Sequence, residues 1–372
     1  MEHEFTFQIR QVLTSLFDVD WEDIYSNSFL LQYLNIKTRS ATRGAKARGS
    51  FANIYAVYVL VEDYLKNEFD KRSDYSDYAG ARYTDLFRRQ RELPFGNKLQ
   101  NHALNSRMNE EFRKYFPNTE LVPILRDLQT NRYWINENLL KVRTKVKTYN
   151  IALAIIQIID SYIEAKRSAF EQFLETCETL KGISTEGRET VKTFIAGLLA
   201  PHVDARIFEI VSYAILKYFY HDQTVYFGFE VDAIREESLK LYKTGRTNAN
   251  DGGIDFVMRP LGRFFQVTET VEATKYFLDI DKVERYPITF VIKSEENVDK
   301  LKQRLHAGAE RRYAVKLIVK RYMDCIEEII NLQSLRQRLE VTTQQGYLDN
   351  ILDEIVRQSR VEFNFDEAYE PD

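Results

Sequence analysis

Apolar side chains recur at helical spacing over much of the first half of the chain. Residues 5–36 carry apolar and aromatic positions about three or four residues apart, and this spacing resumes over 49–65. A third run covers 138–180, where the apolar side chains between Ile151 and Ile159 form a stripe that we expect to be buried. The pattern predicts a mainly helical first half.

The second half mixes helical and strand patterns. Helices are predicted at 189–199 and at 204–220, and Asp204 is the expected N-cap of the second. Runs rich in β-branched and aromatic residues predict strands at 224–229, 254–258, 263–268 and 288–293. The other predicted elements are a helix at 231–242, a loop at 244–253 and a long helical tail at 313–359.

Residues 182–187, which begin and end with glycine, interrupt the helical pattern between the two halves. We therefore predict a domain boundary there, with a mainly helical region at 1–183 and a mixed α/β region at 184–372. The expected fold class is α+β.

Composition favours a folded protein outside the membrane. Apolar residues make up 44% of the chain and aromatic residues 13%, which excludes a disordered protein. The longest apolar stretches, 55–61 and 151–159, are much shorter than the roughly 20 residues that a membrane span needs. The N-terminal sequence lacks the basic start and apolar core of a secretory signal, so we expect a cytoplasmic protein.

The cysteines and histidines do not suggest a metal site. Cys177 and Cys325 lie far apart, outside any ligand spacing such as C-x-x-C, and are interpreted as reduced core thiols. The histidines are equally dispersed along the chain. We therefore do not expect a zinc site.

Charge is distributed unevenly, although the net charge is -4. No acidic residue lies between Asp23 and Glu62. Residues 37–49, here called the basic segment, contain five cations: Lys37, Arg39, Arg43, Lys46 and Arg48. A second basic patch runs from Arg82 to Arg107. Such segments are often merely solvated, but they also suit contacts with DNA phosphates. The residues that we predict to bind DNA are Arg39, Arg43, Lys46, Arg48, Arg88 and Arg89.

The most informative segment is a predicted hairpin over residues 251–269. Asp255 enters its first strand after two glycines, and a Pro-Leu-Gly turn at 260–262 leads to the second strand. Strand alternation sends Gln266 and Thr268 to one face of that strand. Carboxylate and amide oxygens are the hard ligands that Mg²⁺ prefers. The alternative is an ordinary hairpin in which Asp255 caps a turn and Gln266 faces solvent.

This hairpin resembles the PD-(D/E)xK nuclease superfamily, and most closely the type II restriction endonucleases. Asp255 matches the family's aspartate and Gln266 matches its Glu/Gln position. Glu209 is our choice for the acid that the family carries on a preceding helix, and Glu230 is the competitor. The predicted order of helix, three strands, helix and strand is also similar, and the resemblance covers roughly residues 200–295. It implies a restriction-endonuclease-like α/β core, a central mixed sheet flanked by helices.

One position departs from the family pattern, because Thr268 stands where the family usually has lysine. Threonine cannot supply the positive charge that would neutralise the phosphate and orient the attacking water. Three explanations remain open: Lys275 or Lys293 substitutes, the metal suffices, or the protein is inactive. Glu209 is similarly open, as a buried acid of the metal shell or as a helix-face acid paired with a lysine.

The resemblance implies a Mg²⁺-dependent enzyme that hydrolyses double-stranded DNA at specific sites. Asp255 would bind the metal, Gln266 would complete its shell, Glu209 would support a ligand or water, and Thr268 would occupy the general-base position. A homodimer and a companion DNA methyltransferase are implied on the same footing. The alternatives are a less specific repair or defence nuclease of this superfamily and an inactive DNA-binding relative.

Overall fold

The computed structural model describes residues 2–39, 47–96, 99–181, 183, 187–201, 203–244 and 254–363, apart from the side chains at 47–50 and 363. Contacts between residues divide the chain into two compact units, Met1–Phe173 and Leu174–Asp372. This division falls inside a continuous helix that ends at Lys181, before the segment at which the sequence predicts the boundary.

The first unit is built mainly from helices, as the spacing of apolar residues predicts. Asp20 and Ser28 cap two of them by accepting hydrogen bonds from the backbone N–H groups of Glu22 and Leu31. The helices are α1 (Thr6–Leu16), α2 (Trp21–Ser26), α3 (Phe29–Thr38), α4 (Ala47–Lys66), α5 (Tyr83–Glu92), α6 (Met108–Tyr115) and α7 (Ala152–Lys181). All residues of α4 from Phe51 to Val61 are buried, so this helix lies at the centre of the unit's core.

The first unit also contains short strands that the sequence pattern did not reveal. They are β1 (Ala81–Arg82), β2 (Ile124–Asp127), β3 (Arg132–Ile135), β4 (Lys141–Arg143) and β5 (Thr148–Asn150). The first three form an antiparallel sheet in the order β1-β3-β2, and β4 and β5 form a separate hairpin. The helix predicted over 138–180 is therefore wrong before residue 152.

The second unit alternates helices and strands. Its helices are α8 (Arg188–Gly197), α9 (Ala205–Phe219), α10 (Ala273–Lys282), α11 (Val298–Arg312), α12 (Lys316–Asp324), α13 (Leu332–Gln344) and α14 (Leu348–Phe363). Its strands are β6 (Thr224–Phe227), β7 (Arg235–Ser238), β8 (Lys240–Lys243), β9 (Phe256–Arg259), β10 (Arg263–Thr268), β11 (Ile288–Ile292) and β12 (Ile326–Ile330). Asp204 caps α9 by accepting from the Arg206 N–H, which confirms its predicted role.

Two of the sequence predictions in this unit are wrong. The helix predicted at 231–242 is a short 3-10 turn followed by β7 and β8, because cross-strand pairing with β6 and β9 outweighs the local pattern. The predicted helical tail is interrupted by β12, which adds to the edge of the main sheet beside β11.

The main sheet is mixed and has the order β12-β11-β10-β9-β8. Strands β8, β9 and β10 are antiparallel neighbours, whereas β10, β11 and β12 run parallel. All five residues of β11 are buried, which indicates that both faces of the sheet are covered. The fold of the chain is thus a mixture of helices and several sheets.

Different helices cover the two faces of the main sheet. Phe265 of β10 contacts Tyr220, at the end of α9, with ring centroids 6.2 Å apart. Phe290 of β11 packs against Tyr276 of α10 at 4.6 Å, within a buried cluster that also draws on α11 and α12. Because Gln266 pairs in register with Phe290 and alternates with Phe265, Gln266 lies on the face covered by α10.

Two predictions from composition can be compared with the described residues. Cys177 and Cys325 are buried free thiols, as the sequence predicts. Within the described ranges, no helix combines the length and the apolar character that crossing a lipid bilayer requires.

Replacing Phe290 by alanine is expected to destabilise the second unit by about 3–5 kcal/mol, because it leaves a cavity between the sheet and α10. Denaturant unfolding of the two proteins measures this difference. The control is Tyr226→Ala, which removes a side chain that is 77% exposed and is expected to change stability by less than about 0.5 kcal/mol. Equal effects of the two changes would contradict the packing described here.

Candidate active site

Asp255 is held against the end of β10 by its backbone and by its side chain. The Asp255 N–H donates to the carbonyl of Phe265 at 2.9 Å, and the Asp255 carboxylate accepts from the N–H of Val267 at 2.6 Å. The turn between the strands closes with Gly262 at φ +67°, a conformation that suits glycine. Since β9 begins only at Phe256, the Asp255 carboxylate takes the place of a further ladder bond to β10.

Gln266 lies beside this carboxylate. It is only 8% exposed, and its Nε2 donates to the carbonyl of Val267 at 3.1 Å. The N–H and C=O of one β-residue point to the same edge of the strand, so Gln266 and Asp255 engage the same edge of β10. The alternative in which Gln266 faces solvent is wrong.

The amide oxygen of Gln266 is an unsatisfied acceptor. Among the described residues, its buried Oε1 has no hydrogen-bond partner. A buried acceptor that lacks a donor costs about 1–3 kcal/mol. A hard cation would satisfy this oxygen.

Thr268 is 4% exposed and lies at the last position of β10, on the same face as Gln266. Lys275, in the first turn of α10, reaches back so that its Nζ lies 3.3 Å from Thr268 Oγ1. The Nζ of Lys293 is instead paired with Glu269 at 2.9 Å and also donates to the carbonyl of Val203. Of the two lysines that the sequence suggests as substitutes, Lys275 is the one that contacts Thr268.

Glu209 is buried on α9, and its Oε1 lies 2.9 Å from Nζ of Lys243. Lys243 is paired across the sheet with Phe256, whose ring contacts Tyr213 of α9. The Glu209–Lys243 pair therefore lies on the α9 face, opposite to the face that carries Gln266. Glu209 is thus both buried and paired with a lysine. Glu230, its competitor, is exposed just before the 3-10 turn at Val231–Ala233.

The second unit thus brings Asp255, Gln266 and Thr268 together at one end of β10. Within the residues that the structure describes, no group of three or more His, Cys, Asp or Glu side chains is arranged to hold a metal. A site made from one carboxylate and one amide oxygen still fits Mg²⁺, which keeps several of its waters and needs only one or two carboxylates. The partnerless Gln266 Oε1 is the observation that supports this fit.

The predicted DNA-binding residues differ in their surroundings. Arg39 is exposed at the end of α3, and Arg88 has a side chain that is 72% exposed, with Asp85 at 3.1 Å. Arg89 forms a bidentate pair with Glu62, with two N···O distances of 2.9 Å. Hydrogen bonding to Glu62 raises the pKa of Arg89. Three predicted residues lie outside the described positions or side chains, namely Arg43, Lys46 and Arg48.

Lys37 was predicted to belong to the solvent-facing basic segment, but its side chain is mostly buried and paired with Glu111. Lys37 belongs to α3, its side chain is only 11% exposed, and its Nζ lies 2.5 Å from Glu111. Asn53 donates to the other oxygen of the same carboxylate at 2.6 Å. The four-residue spacing from the buried Tyr33 was a signal that Lys37 faces the core.

Comparisons of the chain with protein-family models, with curated protein sequences and with solved structures find no match.

If the first unit binds DNA, as its basic patches predict, the two arginines of α5 should contribute differently to binding. Arg88→Ala should lower the slope of log affinity against log salt by about one unit if Arg88 contacts a phosphate. Arg89→Ala should leave this slope unchanged, because its bidentate pair with the largely buried Glu62 already neutralises Arg89, whereas the single contact of Arg88 with Asp85 is solvent-exposed and weak. Loss of the Glu62 pair should destabilise the fold by roughly 1–3 kcal/mol. Titration of labelled duplex DNA at several salt concentrations, with denaturant unfolding alongside, measures both quantities. Equal slope changes in the two variants would contradict this distinction.

Proposed function

We propose that the chain is a Mg²⁺-dependent endonuclease that hydrolyses double-stranded DNA at specific sites, a type II restriction endonuclease of the PD-(D/E)xK superfamily. The observation that carries the proposal is the convergence of the Asp255 carboxylate and the Gln266 amide on the backbone of Val267, with the Gln266 Oε1 buried and lacking a partner among the described residues.

The order of elements around this site gives further support. Helix α9 is followed by the antiparallel strands β8, β9 and β10, then by α10 and by β11, which is parallel to β10. This order is similar to the one that the family resemblance implies. The β6–β7 hairpin is an insertion between α9 and β8.

In the proposed mechanism, Asp255 and Gln266 would hold the metal through their side-chain oxygens. Bound Mg²⁺ would activate water and stabilise the charge that develops on the phosphate. The hydrogen bond from the Val267 N–H fixes the direction of the Asp255 carboxylate. Glu209 is neutralised by Lys243 and acts from the opposite face, so we assign it a supporting role rather than direct contact with the phosphate.

A homodimer would place two such sites on the two strands of a duplex, and a companion methyltransferase would protect the host's DNA. Both belong to the proposal through the family resemblance, as does a cytoplasmic location. A DNA-binding protein without catalysis is the second candidate, and the observation that favours it is Thr268 in place of lysine.

Asp255→Asn is the direct test of the proposed site. The amide keeps the size of the side chain and an oxygen that accepts from the Val267 N–H, but it removes the negative charge that holds Mg²⁺. Plasmid DNA incubated with Mg²⁺ should be cut by the parent protein and at least about 100-fold more slowly by the variant. Gel analysis of the products over time measures the rates.

The matched control is Asp232→Asn, which makes the same chemical change at an exposed position in the Val231–Ala233 turn and should cut like the parent. Unchanged cleavage by Asp255→Asn would overturn the assignment of the site. Discrete fragments indicate site-specific cleavage, and a smear indicates the less specific nuclease. DNA binding without any cleavage in Mg²⁺ would favour the inactive relative.

The basic segment is tested separately, through binding alone. Replacing Arg43, Lys46 and Arg48 together by alanine should weaken binding to any duplex and lower the salt slope by about three units, one for each phosphate that is no longer neutralised. Affinities measured at several salt concentrations without divalent metal provide the answer. A slope equal to that of the parent would mean that the segment is merely solvated.

A further inference from the structure

A groove in the second unit lies next to the candidate active site. It has a volume of about 470 Å³ and is lined by the residues that lead into α10 and by the last turns of α11. Its lining includes Val271, Glu272, Ala273, Gly308, Arg311 and Arg312. The groove begins three residues after Thr268, so the end of β10 leads directly into it.

The two helices meet at a contact that requires glycine. A Cβ at Gly308 would lie 2.2 Å from the Cβ of Ala273, closer than real carbon contacts allow. Arg311 and Arg312 follow Gly308 by three and four residues and therefore share its side of α11. The close contact thus directs both arginines toward the start of α10.

These arginines are exposed and have no carboxylate partner among the described residues. Arg312 lies over the ring of Tyr313 at 5.6 Å, and Tyr313 in turn contacts Phe277 of α10. The groove contains one carboxylate, that of Glu272, against two guanidinium groups. Its lining is therefore positively charged overall.

Lys275, which follows the groove residue Thr274 in the sequence, adds a third cation beside the candidate active site. Its Nζ lies 3.3 Å from Thr268 Oγ1, and it too has no ion-pair partner within the described part of the chain. Lys243 and Lys293, the other lysines near the site, are each paired with a glutamate at 2.9 Å. The intervening segment is fixed by a hydrogen bond from Tyr276 to the carbonyl of Thr270 at 2.8 Å.

We infer that this groove binds the DNA backbone on one side of the cleaved bond. Lys275 contacts the phosphate that is cut, and Arg311 and Arg312 contact the phosphates next to it. Guanidinium groups suit this role because they donate paired hydrogen bonds to phosphate oxygens. The inference rests on the proposed DNA substrate and assigns to Lys275 the charge that Thr268 lacks.

The arginines are tested by binding, so the result does not depend on cleavage. Arg311→Ala/Arg312→Ala should lower the salt slope for a short labelled duplex by about two units, measured without divalent metal. The matched control is Lys300→Ala/Lys302→Ala, which removes two exposed charges from the same helix outside the groove and should leave the slope unchanged. An unchanged slope in the arginine variant, or equal changes in both variants, would overturn the inference.

A competition experiment distinguishes a DNA backbone from a small phosphorylated molecule as the ligand of the groove. Inorganic phosphate, added at constant ionic strength, should compete weakly with DNA for the parent protein and less for the arginine variant. Tight binding of inorganic phosphate that is abolished in the arginine variant while DNA affinity stays the same would assign the groove to a small phosphorylated ligand and overturn the inference. Denaturant unfolding should show equal stability for all variants, since these side chains are exposed.

Lys275 is tested by the separation of binding from cleavage. Lys275→Ala should reduce single-turnover cleavage roughly 100- to 1,000-fold and lower the salt slope of binding by only about one unit, whereas Lys275→Arg should keep much of the rate. A rate for Lys275→Ala equal to the parent's would remove Lys275 from the inference while the proposed nuclease stands. If the parent protein and Asp255→Asn behave alike, the proposed function fails, and the binding arm still decides whether the groove contacts DNA.

Discussion

The candidate site depends on one charge-assisted hydrogen bond, from the backbone N–H of Val267 to the carboxylate of Asp255. Such a bond contributes about 1.5–3 kcal/mol, roughly twice the value for neutral partners. It forms because β10 continues beyond the point at which β9 begins, so the Val267 N–H has no strand partner on that side. The same contact therefore completes the edge of the sheet and fixes the direction of the Asp255 carboxylate. The neighbouring Gln266 amide is aligned by its hydrogen bond to the carbonyl of Val267.

The lysines around this contact are either buried and paired with a glutamate or exposed and unpaired among the described residues. Lys243 and Lys293 have side chains that are 11% and 3% exposed, and each is neutralised by a glutamate. A buried charge without a partner would be costly, so such pairing is required for both lysines. Lys275 is exposed and bears no such constraint. Among the described residues, Lys275 at the start of α10 and Arg311 and Arg312 at the end of α11 have no carboxylate partner, so they remain available to a negatively charged ligand.

Several elements could be predicted because their patterns are local. The bounds of β10 agree with the predicted 263–268, and the cap at Asp204 follows from its own side chain and the helix behind it. The helix predicted over residues 231–242 is wrong because the few apolar positions of this segment fit a helix as well as a strand. The strands that pair with it, β6 and β9, lie outside the segment, and this pairing decides the outcome. The strand β12 was missed for the same reason, since its partner β11 is remote in the sequence.

The sequence by itself determined the residue types of the site, because a carboxylate, an amide and a hydroxyl at fixed strand spacing must lie at one end of a hairpin. Only the tertiary structure decided which charges remain available. It placed Glu209 with Lys243 on the opposite face of the sheet, buried Lys37 against Glu111, and brought Lys275 to Thr268 across a helix start. These outcomes depend on which side chains meet after packing, and a one-dimensional pattern carries no information about burial between elements that are distant in the chain.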